Sequence, residues 1–199
     1  MREEFYYPSR DGRTQIHAVE WTPGGEVRGV LQICHGMVEY IERYHEFAEY
    51  MCGHGYHVVG HDHLGHGKSV VDEADYGYFP EKDGNQCVIE DIHQLRMTVS
   101  GKYPGVPYLM LGHSMGSFLV RQYLTVYGEG LSGAVIMGTG YQPLPILAAG
   151  QMICRVTALF KGWRYRSRFV DNLSFGSFNK RFEPSETGRE WVTSDAEHQ

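Results

Sequence analysis

The spacing of apolar and polar residues changes in a regular order along this chain. Residues 3–8 and 14–21 alternate, with the turn residues Ser9-Arg10-Asp11-Gly12 between them, which predicts two strands around a tight connection. Pro23-Gly24-Gly25 breaks the chain again, and Gly29-Val30-Leu31-Gln32-Ile33-Cys34 is a short run suited to an interior strand. From 40 to 52, Ile41, Tyr44, Ala48 and Met51 recur at helical spacing, with Glu42, Glu46 and Glu49 opposite. Gly53 and Gly55 provide the stop. His57-Val58-Val59-Gly60 begins a third buried strand, and Val88, Ile92, Leu95 and Val99 mark a second amphipathic helix that ends near Pro104.

The run Tyr108-Leu109-Met110-Leu111 predicts another strand, followed at once by a helix carrying Phe118, Leu119, Gln122, Tyr123 and Val126. Gly133-Ala134-Val135-Ile136-Met137-Gly138 reads as one more buried strand. Strands alternating with helices of these lengths predict an α/β fold, a mostly parallel sheet covered by helices on both faces. After Gly140 the texture changes. Ile146, Leu147, Met152, Ile153, Val156, Leu159 and Phe160 surround one helix almost completely, and a basic aromatic stretch, 161–168, follows. No strand pattern returns, so 1–140 is expected to be a sheet-bearing core and 141–199 a helical cap or lid.

A length of 199 residues suffices for one such core with an appended segment. The net charge of −6 argues against a general nucleic-acid binder, which shows a basic excess. The N-terminal residues lack the apolar core of a signal peptide, and in this reading no apolar run reaches the length of a bilayer span. Cys34, Cys52, Cys87 and Cys154 fall singly, which suits reduced thiols and a cytoplasmic setting better than a disulfide framework.

Candidate chemistry enters at Gly112-His113-Ser114-Met115-Gly116. A Gly-x-Ser-x-Gly sequence between a strand and a helix is the context of a nucleophile elbow, where a sharp turn lifts one hydroxyl above the sheet. Gly112 and Gly116 let the backbone turn without clashing. Ser114 is the candidate nucleophile. Acyl transfer also needs donors for the oxyanion, and losing one typically costs roughly 2.7–4 kcal/mol of transition-state stabilisation. The amide of Met115, at the start of the helix, is one candidate. The loop His35-Gly36-Met37, just after the strand 29–34, offers the amide of Met37 as the other. His113 adjoins the serine, where successive side chains diverge, and makes a poor base.

His35-Gly36-Met37-Val38-Glu39-Tyr40, Arg43-Tyr44, Asp62-His63-Leu64-Gly65-His66-Gly67-Lys68-Ser69 and the Ser114 motif stand in one order. In that order they resemble the monoacylglycerol lipase and lysophospholipase branch of the α/β-hydrolases, grouped with the serine aminopeptidase-like hydrolases. Asn172–Lys180 and Trp191–Asp195 resemble the cap of bacterial members. The resemblance implies the α/β-hydrolase fold and an ester hydrolase that uses no cofactor, working through an acyl-enzyme on a small lipid-like ester such as a monoacylglycerol or lysophospholipid. It makes Asp62, Gly65, His66, Gly67 and Ser69 a loop bracing the floor of the site. It also places the triad acid and base after the cap, on loops following the last two strands, so both are expected beyond Gln199 and the final strands are expected to be missing here. Asp195 and His198 follow Ser114 in the right order but have no strand before either, and they read as a solvated tail.

Two other functions compete. A hydrolase-like scaffold without its base would be an acyl-ligand binding module. His61, His63 and His66 would be the ligands of a zinc hydrolase, although Gly65 stands where metallo-hydrolases of that pattern carry an Asp. The basic stretch 161–168 reads first as the solvated face of a cap helix and second as a transient contact with an anionic membrane surface.

Overall fold

The computed structural model describes residues 1–176 and residue 182. The chain divides into two compact units, Met1–Tyr141 and Gln142–Gln199.

The first unit is built on a six-stranded sheet. Its strands are β1 (Arg2–Pro8), β2 (Gln15–Trp21), β3 (Gly29–Cys34), β4 (Tyr56–His61), β5 (Tyr108–His113) and β6 (Gly133–Met137), in the order β1-β2-β4-β3-β5-β6. β1 and β2 form an antiparallel hairpin from Arg2↔Trp21 to Pro8↔Gln15, and β2 pairs antiparallel with β4. The remaining pairings, β4 with β3, β3 with β5 and β5 with β6, are parallel. The helices are α1 (His45–Gly53), α2 (Gly84–Lys102) and α3 (Met115–Tyr127).

The period of two in β3 and β5 divides the core. Leu31, Ile33 and Leu111 join Ile41 and Ala48 on the α1 side of the sheet. Cys34 and Met110 join Ile92, Leu119 and Tyr123 of α2 and α3 on the other. Gln32 is the one polar side chain in the middle of β3, and both its polar atoms have partners. Its amide donates to the Ile92 carbonyl at 3.0 Å and its oxygen accepts from the Tyr108 hydroxyl at 2.7 Å. An orphaned amide there would cost about 1–3 kcal/mol.

Three sequence expectations need correction. Among the described residues β6 lies at the sheet edge and is not buried: Ala134, Val135 and Met137 are exposed, with β5 its only neighbour there. The helix expected over 40–52 begins as a separate 3₁₀ turn, Ile41–Tyr44, before α1 starts at His45. A long-range contact explains that turn, since the Ile41 N–H donates to Asp62 Oδ1 at 2.7 Å.

The second unit contains α4 (Leu144–Lys161) and α5 (Arg168–Phe175). Gly162, at φ 85°, ends α4 and returns its N–H to the Ala158 carbonyl at 2.8 Å. Ser167 caps α5 by accepting from the Val170 N–H at 3.3 Å. The third correction concerns α4. Its 18 residues have a mean hydropathy of 1.3 and are long and apolar enough to cross a membrane. The apolar positions 146–160 alone fell short of that, and the helix extends past them at both ends. The same length and composition suit a helix that packs on protein. Leu144, Ile146, Leu159 and Phe160 are exposed. Of the segments likened to a bacterial cap, Asn172–Phe175 falls in α5, while Trp191–Asp195 and His198 lie outside the described residues.

Candidate active site

Ser114 sits between the end of β5 and the first residue of α3 with φ 50° and ψ −116°. A side chain adopts such a backbone rarely, and holding one there costs of order 1–3 kcal/mol. Three hydrogen bonds hold it. The Ser114 N–H donates to the Met137 carbonyl of β6 at 3.0 Å. Its carbonyl accepts from the Ser117 N–H at 2.9 Å and from Ser117 Oγ at 2.6 Å.

The two glycines of the motif are required by contact and not by a positive φ. A Cβ on Gly116 would stand 2.0 Å from the Cys34 carbonyl oxygen, and one on Gly112 would stand 2.5 Å from the Gly116 carbonyl oxygen. The start of α3 thus lies directly against the end of β3 and the loop that leaves it.

That loop carries the second candidate donor. A Cβ on Gly36 would lie 3.1 Å from Ser114 Cβ, which puts the Gly36 backbone beside the serine. Gly36 is buried and Met37 is exposed. Among the described residues, neither the Met37 N–H nor the Met115 N–H has a protein acceptor. Both amides are therefore available to an oxygen that develops negative charge, provided the loop holds its shape.

Glu39 supports that shape, and sequence reasoning gave it no role. Its Oε2 accepts from the Gly36 N–H at 3.0 Å and from the Tyr44 hydroxyl at 2.9 Å. Its Oε1 lies 3.0 Å from His113 Nδ1, which must carry the proton to bond an ionised carboxylate. Burial pushes the Glu39 carboxyl up, but the Gly36 amide, the Tyr44 hydroxyl and His113 outweigh it and leave it below the ordinary range. The imidazole of His113 is thus turned to Glu39. The only available signal was a lone acidic residue in a glycine-containing apolar loop.

Asp62 ties the neighbouring loop down. Its Oδ1 accepts from Ile41, and its Oδ2 accepts from His17 Nδ1 at 2.9 Å and from the Lys68 N–H at 2.8 Å. Gly67 packs so close that a Cβ would fall within 2.2 Å of Oδ2. Burial raises the carboxyl, and the His17 and backbone donors lower it further than burial lifts it.

The zinc reading of His61, His63 and His66 is corrected by their hydrogen bonds. The Tyr7 hydroxyl donates to the Asp91 carbonyl at 3.0 Å, so it accepts from His61 Nδ1 at 2.8 Å. His61 Nε2 then accepts from His63 Nδ1 at 3.0 Å. His66 Nδ1 donates to the Leu64 carbonyl at 3.1 Å. The rings of His61 and His63 bond to each other and do not converge on a common point. His63 Nε2 is buried without a partner, and no group of three His, Cys, Asp or Glu among the described residues could hold a metal ion. Burial holds His61 down to about 3 and His63 well below the usual imidazole range, so both are neutral structural groups.

With this geometry in view, the chain matches the serine aminopeptidase S33 family over residues 25–199. It belongs to that family. It is 34% identical over 114 residues to the monoglyceride lipase of Mus musculus, covering 56% of this chain and 36% of the relative. It is 33% identical over 118 residues to the monoacylglycerol lipase of Mycolicibacterium smegmatis, covering 59% of this chain and 40% of the relative. The crystal structure of a thermostable carboxyl esterase from Bacillus coagulans, in complex with glycerol, superposes with a TM-score of 0.87 at 30% identity. That match covers 99% of this chain and 63% of the esterase. The fold is that of the α/β-hydrolases, and this family member spans well under two thirds of the curated relatives it matches.

Proposed function

We propose that this family member carries the nucleophile and oxyanion half of a serine hydrolase that cleaves carboxylic esters of lipid-like alcohols. Ser114 gives up its proton to a general base as it attacks the ester carbonyl, and the Met37 and Met115 amides receive the oxyanion. Collapse leaves an acyl-enzyme and expels the alcohol, which takes that proton from the base. The observation that carries this reading is the backbone of Ser114, a non-glycine residue at φ 50° between strand and helix, beside two amides without protein acceptors. The similarity to monoglyceride and monoacylglycerol lipases supports a monoacylglycerol or related lysolipid as substrate. Among the described residues no imidazole bonds to Ser114 Oγ, so the base that the mechanism needs is to be sought outside them.

The test is reaction with a fluorophosphonate probe, read by intact mass, together with steady hydrolysis of p-nitrophenyl butyrate. The probe should add once to the wild type and not to Ser114→Ala. Absence of any adduct on the wild type would defeat the proposal. An adduct without ester turnover, combined with retention of a fatty acid, would favour the reading as an acyl-ligand binding module.

A further inference from the structure

The peptide that joins Gly36 to Met37 is gripped on its buried side by a histidine. His35 Nδ1 lies 2.7 Å from the Gly36 carbonyl oxygen, and the His63 backbone N–H lies 2.9 Å from His35 Nε2. An amide N–H can only donate, so Nε2 must accept and be bare of hydrogen. The single proton of the neutral ring then sits on Nδ1 and points at the Gly36 oxygen. The main chain of residue 63 therefore sets the tautomer of residue 35.

A second step follows from peptide geometry. In a trans peptide the carbonyl of one residue and the N–H of the next point in opposite directions. The Gly36 carbonyl is held inward by a wholly buried ring. The Met37 N–H is therefore turned the other way, toward the exposed side of the loop. The Gly36 N–H is separately anchored to Glu39, and rotation of the 36–37 peptide would break the His35 bond and turn the Met37 N–H toward the protonated Nδ1, donor against donor.

We propose that His35 is a positioning residue whose Nδ1–H fixes the orientation of the 36–37 peptide and so aims the Met37 amide at the oxyanion. This rests on the reading of Ser114 and Met37 given above. Burial, with His66 nearby, pushes the His35 ring down to about 4 against the pull of the Gly36 carbonyl, so the required neutral form is the one present at physiological pH. The same ring thus makes two separable bonds, one for orientation and one for stability.

Two substitutions separate them. In His35→Asn the side-chain amide nitrogen occupies the place of Nδ1, keeping the donor to Gly36 but abandoning the His63 N–H. In His35→Gln the terminal group reaches the place of Nε2, keeping the His63 bond but losing the donor to Gly36. The measurements are the second-order rate constant for the fluorophosphonate, thermal unfolding, and the Met37 amide cross-peak in ¹⁵N-methionine protein, assigned by its loss in Met37→Leu. Removal of one oxyanion donor typically slows a reaction by about 10²–10³-fold. His35→Gln should fold as well as the wild type, shift the Met37 cross-peak and react about 10²-fold more slowly. His35→Asn should melt at lower temperature, keep the Met37 shift and retain most of the rate.

Equal rates for His35→Gln and the wild type, or a loss of rate that follows loss of stability in both variants, would overturn the proposal while leaving the Ser114 reading intact. A shifted Met37 cross-peak with no loss of rate would also overturn it. An unreactive wild type would instead defeat the parent reading, and this inference with it.

Discussion

Gly116→Ala is the sharpest test of how the elbow is built. The added Cβ would stand 2.0 Å from the Cys34 carbonyl oxygen, 2.6 Å from the Cys34 carbonyl carbon and 2.6 Å from the His35 carbonyl oxygen. The closest of these falls about 1.4 Å short of the 3.4 Å at which ordinary contact begins. All three atoms are main chain, so no side chain can rotate to make room. Either α3 lifts away from the end of β3 or the loop His35-Gly36-Met37 moves. Overpacking a well-filled site costs typically 1–3 kcal/mol, and a main-chain clash belongs at the upper end, about 3 kcal/mol. For a chain of this size that is a fall in melting temperature of roughly 6–12 °C.

Both relaxations also separate the serine from its candidate oxyanion donors. A displacement of about 1 Å in a reacting constellation can cost on the order of 10²-fold in rate. Urea unfolding followed by circular dichroism, paired with the fluorophosphonate rate, reads both effects. The control is Gly101→Ala in α2, where nothing lies within 4 Å of the added carbon. That change should be neutral or stabilise by up to about 1 kcal/mol, since alanine is the better helix residue. If Gly116→Ala unfolds within about 0.5 kcal/mol of the wild type and reacts at the same rate, the close-approach account of the motif is wrong.

Relief of strain gives a second expectation. Ser114→Gly should be more stable than Ser114→Ala by about 1 kcal/mol in urea unfolding, because glycine accepts φ 50° while keeping only part of that gain against its greater unfolded-state freedom; the reverse order would show that the backbone there is unstrained. A third expectation concerns Asp91, whose buried carboxyl is pushed up to about 6 by desolvation, against the pull of the Arg10 amide and Ser9 hydroxyl. Its folded pKa lies above the unfolded value of 3.8, so the native state binds the extra proton, and this group's contribution falls as pH rises from about 4 to about 6. Asp91→Asn should remove that fall, which is on the order of 3 kcal/mol at full size, so its stability relative to the wild type should rise across the window; an unchanged difference between pH 4 and pH 7 would refute the assignment.

The elbow was legible because its requirements are local. The period of two ends at His113, the helical period begins at Met115, and the glycines on either side of Ser114 stand where the observed contacts forbid a Cβ. The burial of β6 was misjudged from its composition, since an apolar run looks the same whether one strand or two lie beside it. The 3₁₀ start before α1 was hidden for another reason: the carboxylate that bonds Ile41 comes from a loop 21 residues away. His61 and His63 illustrate the limit most clearly. Their spacing suits metal ligands, and only the three-dimensional placement of the Tyr7 hydroxyl and the Asp91 carbonyl reveals that three of their four nitrogens are already engaged, two of them with each other.

The strain at Ser114 and the open amide at Met37 belong to one construction. Holding the serine at its unusual φ costs of order 1–3 kcal/mol, and each hydrogen bond that fastens it contributes a net 0.5–1.5 kcal/mol. Three such bonds, about 1.5–4.5 kcal/mol together, are of the size needed to offset that cost, and they come from β6 and from the first turn of α3. Gly36 is held in the same manner, its N–H fastened to Glu39 and its carbonyl to His35, while the Met37 N–H has no partner among the described residues. Every partner involved lies within Met1–Tyr141. The geometry around the candidate nucleophile is therefore a property of the sheet-bearing unit, fixed by main-chain contacts and by the buried histidine and the largely buried glutamate, and among the described residues the serine hydroxyl and the two candidate donor amides are left without partners.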